Sequence, residues 1–236
     1  MRRVLVRMAV VGLATSGCVP TMPSQLAEGT EVLAPREVGL TLAGGGGVVG
    51  PCCGTSGKAT GFGGAEGRLR VGVGAKQEIG VSAFGGVGGD NASSGAIGGK
   101  LAYKIAPAPW LAFIANAGSY DYITGGTGTT HTAVFGGDLA AIVAPYTDSR
   151  GTQVYTGARG SFVIPVWSGS HGASEALTVP LGVMLKTGEL VRVFLEGGFL
   201  AGFGQFRSES PPPDNYSGDV TLVGGYGTAA VQFILR

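Results

Sequence analysis

Apolar and polar side chains alternate along much of the chain with the two-residue period of a β-strand. The clearest example is LVRVFLEGGFLAGF, residues 190–203, in which Arg192 and Glu196 share one face. The opposite face of this stretch is apolar: Val191, Val193, Leu195, Phe199, Ala201 and Phe203. Residues 175–186 and 95–105 show the same alternation. The pattern predicts strands that turn one face toward an apolar environment and the other toward a polar one.

Turn-forming residues divide the chain after residue 36 into ten predicted strands. They cover residues 38–49, 61–74, 78–88, 95–105, 110–120, 132–144, 152–164, 175–186, 190–203 and 220–235. Each contains the 9–11 residues that a tilted membrane strand needs. Short connections such as Ala75–Gln77 and Thr187–Glu189 alternate with longer or more polar ones. Because bacterial outer-membrane barrels have short periplasmic turns, longer outer loops and an even strand number, we predict an all-β fold. It is a single closed antiparallel transmembrane β-barrel of about ten strands, with eight as the alternative.

The composition supports a membrane barrel over a helical protein. Glycine accounts for 46 of 236 residues, which disfavours helix interiors. Charged residues make up only 13%, and the mean hydropathy is +0.31. In lipid every backbone polar group must be paired internally, so only helices and closed barrels span a membrane. A secreted β-sandwich is the competing interpretation, but it needs a more polar surface than this chain supplies. The net charge of +1 gives no indication of nucleic-acid binding.

The strand alternation places a set of charged side chains inside the predicted barrel. These lumen charges are Glu66, Arg68, Arg70, Lys100, Lys104, Asp138, Arg159, Arg192 and Glu196. Charges of both signs can pair across a narrow lumen, and a barrel of about eight strands is just wide enough for side chains to fill. We therefore predict a polar plug, with a narrow channel as an alternative.

Aromatic residues are expected at the two membrane interfaces. Tyr103, Trp110, Tyr146 and Phe233 fall near the predicted periplasmic ends of strands, and Tyr120, Tyr122, Phe162, Trp167 and Phe203 fall near the outer ends. We predict that they form two aromatic girdles.

The first twenty residues, MRRVLVRMAVVGLATSGCVP, are typical of a secretory signal peptide. Ser16, Gly17 and Cys18 also resemble the lipobox of bacterial lipoproteins, in which the cysteine receives a lipid. Thr15 departs from that pattern, and ordinary cleavage nearby is the alternative. The predicted organisation is a signal peptide over residues 1–17, a lipid-anchored or flexible polar linker over residues 18–36, and an outer-membrane barrel over residues 37–236.

The stretch LTVPLGVMLKTGELVRVFLEGGF, residues 177–199, resembles a hairpin of small outer-membrane β-barrel families of the opacity-type and porin-like kind. The shared features are a PLG strand, a short turn and a following strand with LEGG. The resemblance implies a structural anchor, an adhesin or a narrow channel. Many members end in an aromatic residue, whereas this chain ends in VQFILR.

The remaining motifs give weaker indications of chemistry. GGGVVG at Gly45–Gly50 fits a dinucleotide-binding pattern, but the Pro51 that follows is a poor start for the required helix. Cys52 and Cys53 are adjacent in the first predicted outer loop, where export favours a local disulfide. A metal site needs more ligands than these, so no metal or cofactor is predicted.

His131 and His171 fall in predicted outer loops, and the stretch GSHGASE, residues 169–175, adds Ser170, Ser174 and Glu175. These residues leave open an enzyme at the barrel rim that hydrolyses lipid or peptide. We predict instead a non-enzymatic protein of the bacterial outer membrane. Its partners are the membrane lipid and an extracellular or envelope protein, and its role is structural or one of surface interaction through the outer loops.

Overall fold

Ten antiparallel strands close into a barrel, as the alternation predicts. The computed structural model describes residues 27–52, 58–88, 94–124, 130–166, 170–208 and 217–236. The strands are β1 (Val38–Pro51), β2 (Thr60–Gly74), β3 (Gln77–Gly88), β4 (Ser94–Ala108), β5 (Leu111–Thr124), β6 (Thr130–Thr147), β7 (Gln153–Val166), β8 (Ser170–Lys186), β9 (Val191–Ser208) and β10 (Ser217–Leu235). Each strand pairs with its neighbours in the chain, and β1 pairs with β10 to close the barrel. The predicted fold class is confirmed, with ten strands rather than eight.

The strands extend further at their outer ends than the sequence predicts. β5 continues to Thr124 instead of residue 120, and β9 continues to Ser208 instead of residue 203. Thr124 still pairs with Thr130, because ladder hydrogen bonds depend on the backbone and persist where the apolar alternation has ended. The end that carries the short turns and Arg236 is called the periplasmic end, following the usual orientation of such barrels.

The outer wall of the barrel is apolar. Large apolar side chains stay exposed along every strand, and Leu139 and Leu101 are 69% and 66% exposed. In water such a continuous apolar surface is a liability, whereas in a bilayer it faces lipid. Among the described residues, no helix is long and apolar enough to cross a membrane.

Six of the nine aromatic residues predicted to form girdles are exposed, and two are buried instead. Tyr103, Trp110, Tyr146, Phe233, Phe162 and Phe203 are exposed on the outer wall. Tyr120 and Tyr122 are instead 4% exposed and face the lumen, where the Tyr120 ring packs edge-on against Phe84. Both lie an even number of residues from the buried Ile114 on β5, so the strand alternation turns them to the same inner face. Trp167 lies outside the described residues.

Residues 27–37, here called the N-terminal segment, enter the periplasmic mouth of the barrel. The sequence predicts a flexible polar linker here, but Ala27, Glu28, Thr30 and Leu33 are at most 5% exposed. The segment lies inside because its polar groups find partners on the lumen wall. The predicted signal peptide and Cys18 lie outside the described residues.

Candidate functional site: the charged lumen

All nine predicted lumen charges lie inside the barrel and are less than a tenth exposed. Their positions follow from parity. Glu66, Arg68 and Arg70 occupy every second residue of this part of β2, and Arg192 and Glu196 lie four residues apart on the inner face of β9. Buried charges are costly unless they are paired and hydrogen-bonded, so the contacts of each one decide what the lumen can do.

Two carboxylates organise the middle of the lumen. Glu66 accepts a hydrogen bond from Arg68 at 2.6 Å and forms an ion pair with Lys100 at 3.0 Å. Asp138 accepts hydrogen bonds from Arg159 and from the amide of Asn116, both at 2.7 Å. The contact between Glu66 and Lys100 joins β2 to β4 across the intervening β3, and the contacts of Asp138 join β6 to its neighbours β5 and β7.

Glu196 has a different kind of environment. Its two carboxyl oxygens accept hydrogen bonds from the hydroxyls of Tyr155 at 3.1 Å and Tyr226 at 2.9 Å. The sequence places Arg192 two pleats away on the same strand, but Arg192 contacts Gln232 and Glu31 instead. The tyrosines belong to β7 and β10 and have no charge, so the charge pattern of the sequence does not identify them.

A third set of contacts lies near the periplasmic mouth. Glu28 of the N-terminal segment pairs with Arg68 at 2.7 Å and with Arg70. Arg70 also donates to Glu78 at 2.8 Å, and Glu31 pairs with Arg192 at 2.9 Å. Sequence reasoning missed Glu28, Glu31 and Glu78. The inward parity of β3 could have identified Glu78, whereas the N-terminal segment has no periodic pattern that would place its glutamates.

The N-terminal segment ends in a tight turn just before β1. The backbone N–H of Ala34 donates to the Glu37 carboxylate at 3.0 Å, and Arg236 donates to the same carboxylate at 2.9 Å. The hydrogen bond from Ala34 is the main cause that lowers the pKa of Glu37, and Arg236 adds to it. The ionised Glu37 therefore fixes the turn where the chain leaves the lumen and enters the sheet.

At the outer end, His131 and Asp121 are in contact. The Nδ1 atom of His131 lies 2.6 Å from Oδ2 of Asp121, and both side chains are exposed to a substantial extent, at 60% and 38%. They lie on β6 and β5, pointing away from the lumen. Ser174 and Glu175 of the GSHGASE stretch point to opposite faces of β8, since Ser174 is buried and Glu175 is exposed.

The predicted disulfide between Cys52 and Cys53 remains a prediction. Cys53 lies outside the described residues, so the structure does not address its pairing with Cys52. The backbone N–H of Cys52 donates to Thr221 at 2.9 Å and extends the β1–β10 ladder by one residue. Within the described ranges, no group of three or more His, Cys, Asp or Glu side chains could hold a metal ion.

An apolar outer wall and a lumen of paired charges, on a closed antiparallel sheet, together define a transmembrane β-barrel of the bacterial outer-membrane kind. No family model matches the chain, and no curated protein matches it.

Solved structures with a related shape are outer-membrane barrels. The translocator domain of the autotransporter NalP from Neisseria meningitidis is 12% identical, with 86% of this chain and 89% of that chain covered and a TM-score of 0.47. The outer-membrane protease OmpT from Escherichia coli is 11% identical, with 87% and 100% covered and a TM-score of 0.39. OprG from Pseudomonas aeruginosa is 10% identical, with the same coverage and TM-score as OmpT. At this level of similarity, what those proteins do does not transfer to this chain.

Proposed function

We propose that this protein is a non-conducting, non-enzymatic outer-membrane barrel that anchors its outer loops at the cell surface for a structural or interaction role. The observation that carries the proposal is the occupied lumen. Charges of both signs pair inside it, and the N-terminal segment fills its periplasmic mouth through Glu28 and Glu31.

The pairing pattern favours a plug over an ion path. Arg68 and Arg70 are both engaged by Glu28, and Arg159 is engaged by Asp138. A permeating ion needs sites that bind weakly enough to release it. Side chains that already hold each other at 2.6 to 3.0 Å are poorly suited to exchange partners with a passing ion.

Ion conductance tests the proposal. The purified full chain, reconstituted in a planar bilayer, is expected to show almost no conductance, while an open porin inserted under the same conditions serves as the positive control. A steady wild-type conductance with clear charge selectivity would reject the plug and make a narrow channel the better interpretation.

A rim enzyme is the second candidate, and the contact between His131 and Asp121 is the one observation that favours it. A carboxylate that orients a histidine is a recurrent part of general-base sites. The test is hydrolysis of ester and peptide substrates by the wild type and by His131→Ala. Hydrolysis that the wild type shows and His131→Ala loses would support the enzyme, and no hydrolysis by either would leave the non-enzymatic proposal in place.

A further inference from the structure

The periplasmic half of the lumen has the features of a binding site for an acidic segment. Four cationic side chains from three strands converge there: Arg68, Arg70, Lys104 and Arg192. They are called the cationic ring below. The formal charge balance of the lumen leaves positive charge that the carboxylates of the strands do not match. Among the described residues, the strands bury six cationic side chains and only four carboxylates in the lumen, an excess of two positive charges.

The N-terminal segment supplies the two missing charges. Glu28 pairs with Arg68 and Arg70, and Glu31 pairs with Arg192. Lys104 donates to the backbone carbonyl of Glu31 at 2.6 Å. Each member of the cationic ring thus contacts the segment, so the recognition is electrostatic and involves both carboxylates and backbone.

The wall of the barrel is also shaped to receive the segment. Gly72 on β2 lies where a Cβ atom would come within 2.7 Å of the Leu33 carbonyl oxygen and closer still to that of Ala34. Gly39 on β1 lies where a Cβ atom would come within 3.0 Å of the Leu33 side chain. The two glycines create a seat for Leu33, which is completely buried. Glu78 accepts the Leu33 backbone N–H at 2.9 Å.

The fit between segment and wall is incomplete. A polar cavity of about 10 Å³ lies between them, lined in part by Glu28, Lys104 and Arg192. Oε2 of Glu28 and Nε of Arg192 are buried there without hydrogen-bond partners. The segment also joins β1 through Arg36, whose φ of 72° is unfavourable for a residue with a side chain. The last two residues of the segment pair with the backbone of β2, since the N–H of Arg36 donates to the carbonyl of Gly72 at 2.8 Å and the N–H of Gly72 donates to the carbonyl of Glu37 at 3.0 Å. The part that lies deeper in the lumen is held by contacts that involve side chains of the segment or of the wall.

We propose that the periplasmic half of the lumen is a receptor site for an extended acidic peptide, and that the N-terminal segment is its ligand within the same chain. The ligand class is an extended segment with two carboxylates three residues apart and an apolar side chain two residues further on, as in Glu28, Glu31 and Leu33. When the segment withdraws, a periplasmic protein segment of this chemistry takes its place.

The test uses the full chain with its own ligand weakened. In Glu28→Gln/Glu31→Gln the cationic ring loses both carboxylate partners. A fluorescent peptide with the sequence AEGTEVLAPRE, residues 27–37, is expected to bind this variant saturably and about tenfold or more tightly than it binds the wild type. The peptide AQGTQVLAPRE is the matched control and is expected not to bind. Adding Gly72→Val, which blocks the seat of Leu33, should abolish binding of the acidic peptide.

Three results would overturn the proposal. The folded double variant binds neither peptide, it binds both equally, or the wild type binds the acidic peptide as well as the variant does. Should the double variant fail to fold, Glu31→Gln replaces it, since Glu31 is the more exposed of the two glutamates. The same three results then decide the outcome.

Discussion

At the scale of single residues, the contacts of Glu196 change what its removal should do. Two tyrosine hydroxyls donate to it, so truncation leaves the buried hydroxyl of Tyr155 and the half-buried hydroxyl of Tyr226 without this acceptor. Each orphaned polar group costs about 1–3 kcal/mol. We expect Glu196→Ala to lower the midpoint of denaturant unfolding in detergent micelles, and Glu196→Gln, which keeps an acceptor oxygen, to lower it less.

Glu175→Ala is the matched control for this prediction. It removes the same side chain from an exposed position on the neighbouring strand β8, where surface substitutions usually change stability by less than about 0.5 kcal/mol. Equal midpoints for Glu196→Ala and Glu175→Ala would contradict the role assigned to the tyrosine contacts.

Two glycines one strand apart give a second comparison at the residue scale. A Cβ atom at Gly182 would come within 2.5 Å of the Tyr155 hydroxyl oxygen, and closer to its ring, whereas a Cβ atom at Gly160 would meet nothing within 4 Å. Overpacking of this kind costs about 1–3 kcal/mol. We expect Gly182→Ala to destabilise the barrel in thermal unfolding and Gly160→Ala to leave it unchanged or slightly more stable. Equal effects would show that Tyr155 moves aside without cost.

At the scale of the element, β9 and the turn before it offer two exposed leucines at different depths in the membrane. Leu195 is 52% exposed on the outer wall in the interior of the strand, and Leu190 is 49% exposed in the preceding turn. An arginine facing lipid at the bilayer midplane costs about 2–4 kcal/mol, and one near the interface costs about 0–1. Leu195→Arg should therefore reduce folding into lipid vesicles much more than Leu190→Arg does.

The two positions have almost the same exposure, so exposure alone does not separate them. Similar folding yields for Leu195→Arg and Leu190→Arg would contradict the assignment of the outer wall to lipid.

At the scale of the whole molecule, the barrel closure fixes which connections share an end. The turn at Ala75–Lys76 and the turn containing Ser149 lie at the same end as Arg236. Short turns are periplasmic in barrels of this kind. An epitope inserted after Thr127 should be labelled by antibody on intact cells, and one inserted after Ser149 only after the outer membrane is permeabilised. The reverse pattern would show that the orientation is inverted.

The alternation of the strands and the turn residues between them were enough to predict a closed barrel of about ten strands and the inward face of the nine lumen charges. The physical reason is that strand parity is a local property: residues i and i+2 share a face whatever the rest of the chain does. The same rule applied to β5 and β3 places Tyr120, Tyr122 and Glu78 inside. The two tyrosines were predicted outside because aromatic girdles were expected, and Glu78 was left out although it is the first residue of the predicted strand 78–88.

Which charges contact each other depends on the closed barrel. Glu196 and Arg192 share a face of one strand, but their partners come from β7, β10 and the N-terminal segment. Such pairing depends on barrel diameter and strand stagger, which no local pattern encodes. The docking of residues 27–37 is the clearest case. An aperiodic, polar stretch predicts a linker, and it becomes part of the core because a closed lumen with two unmatched positive charges surrounds it.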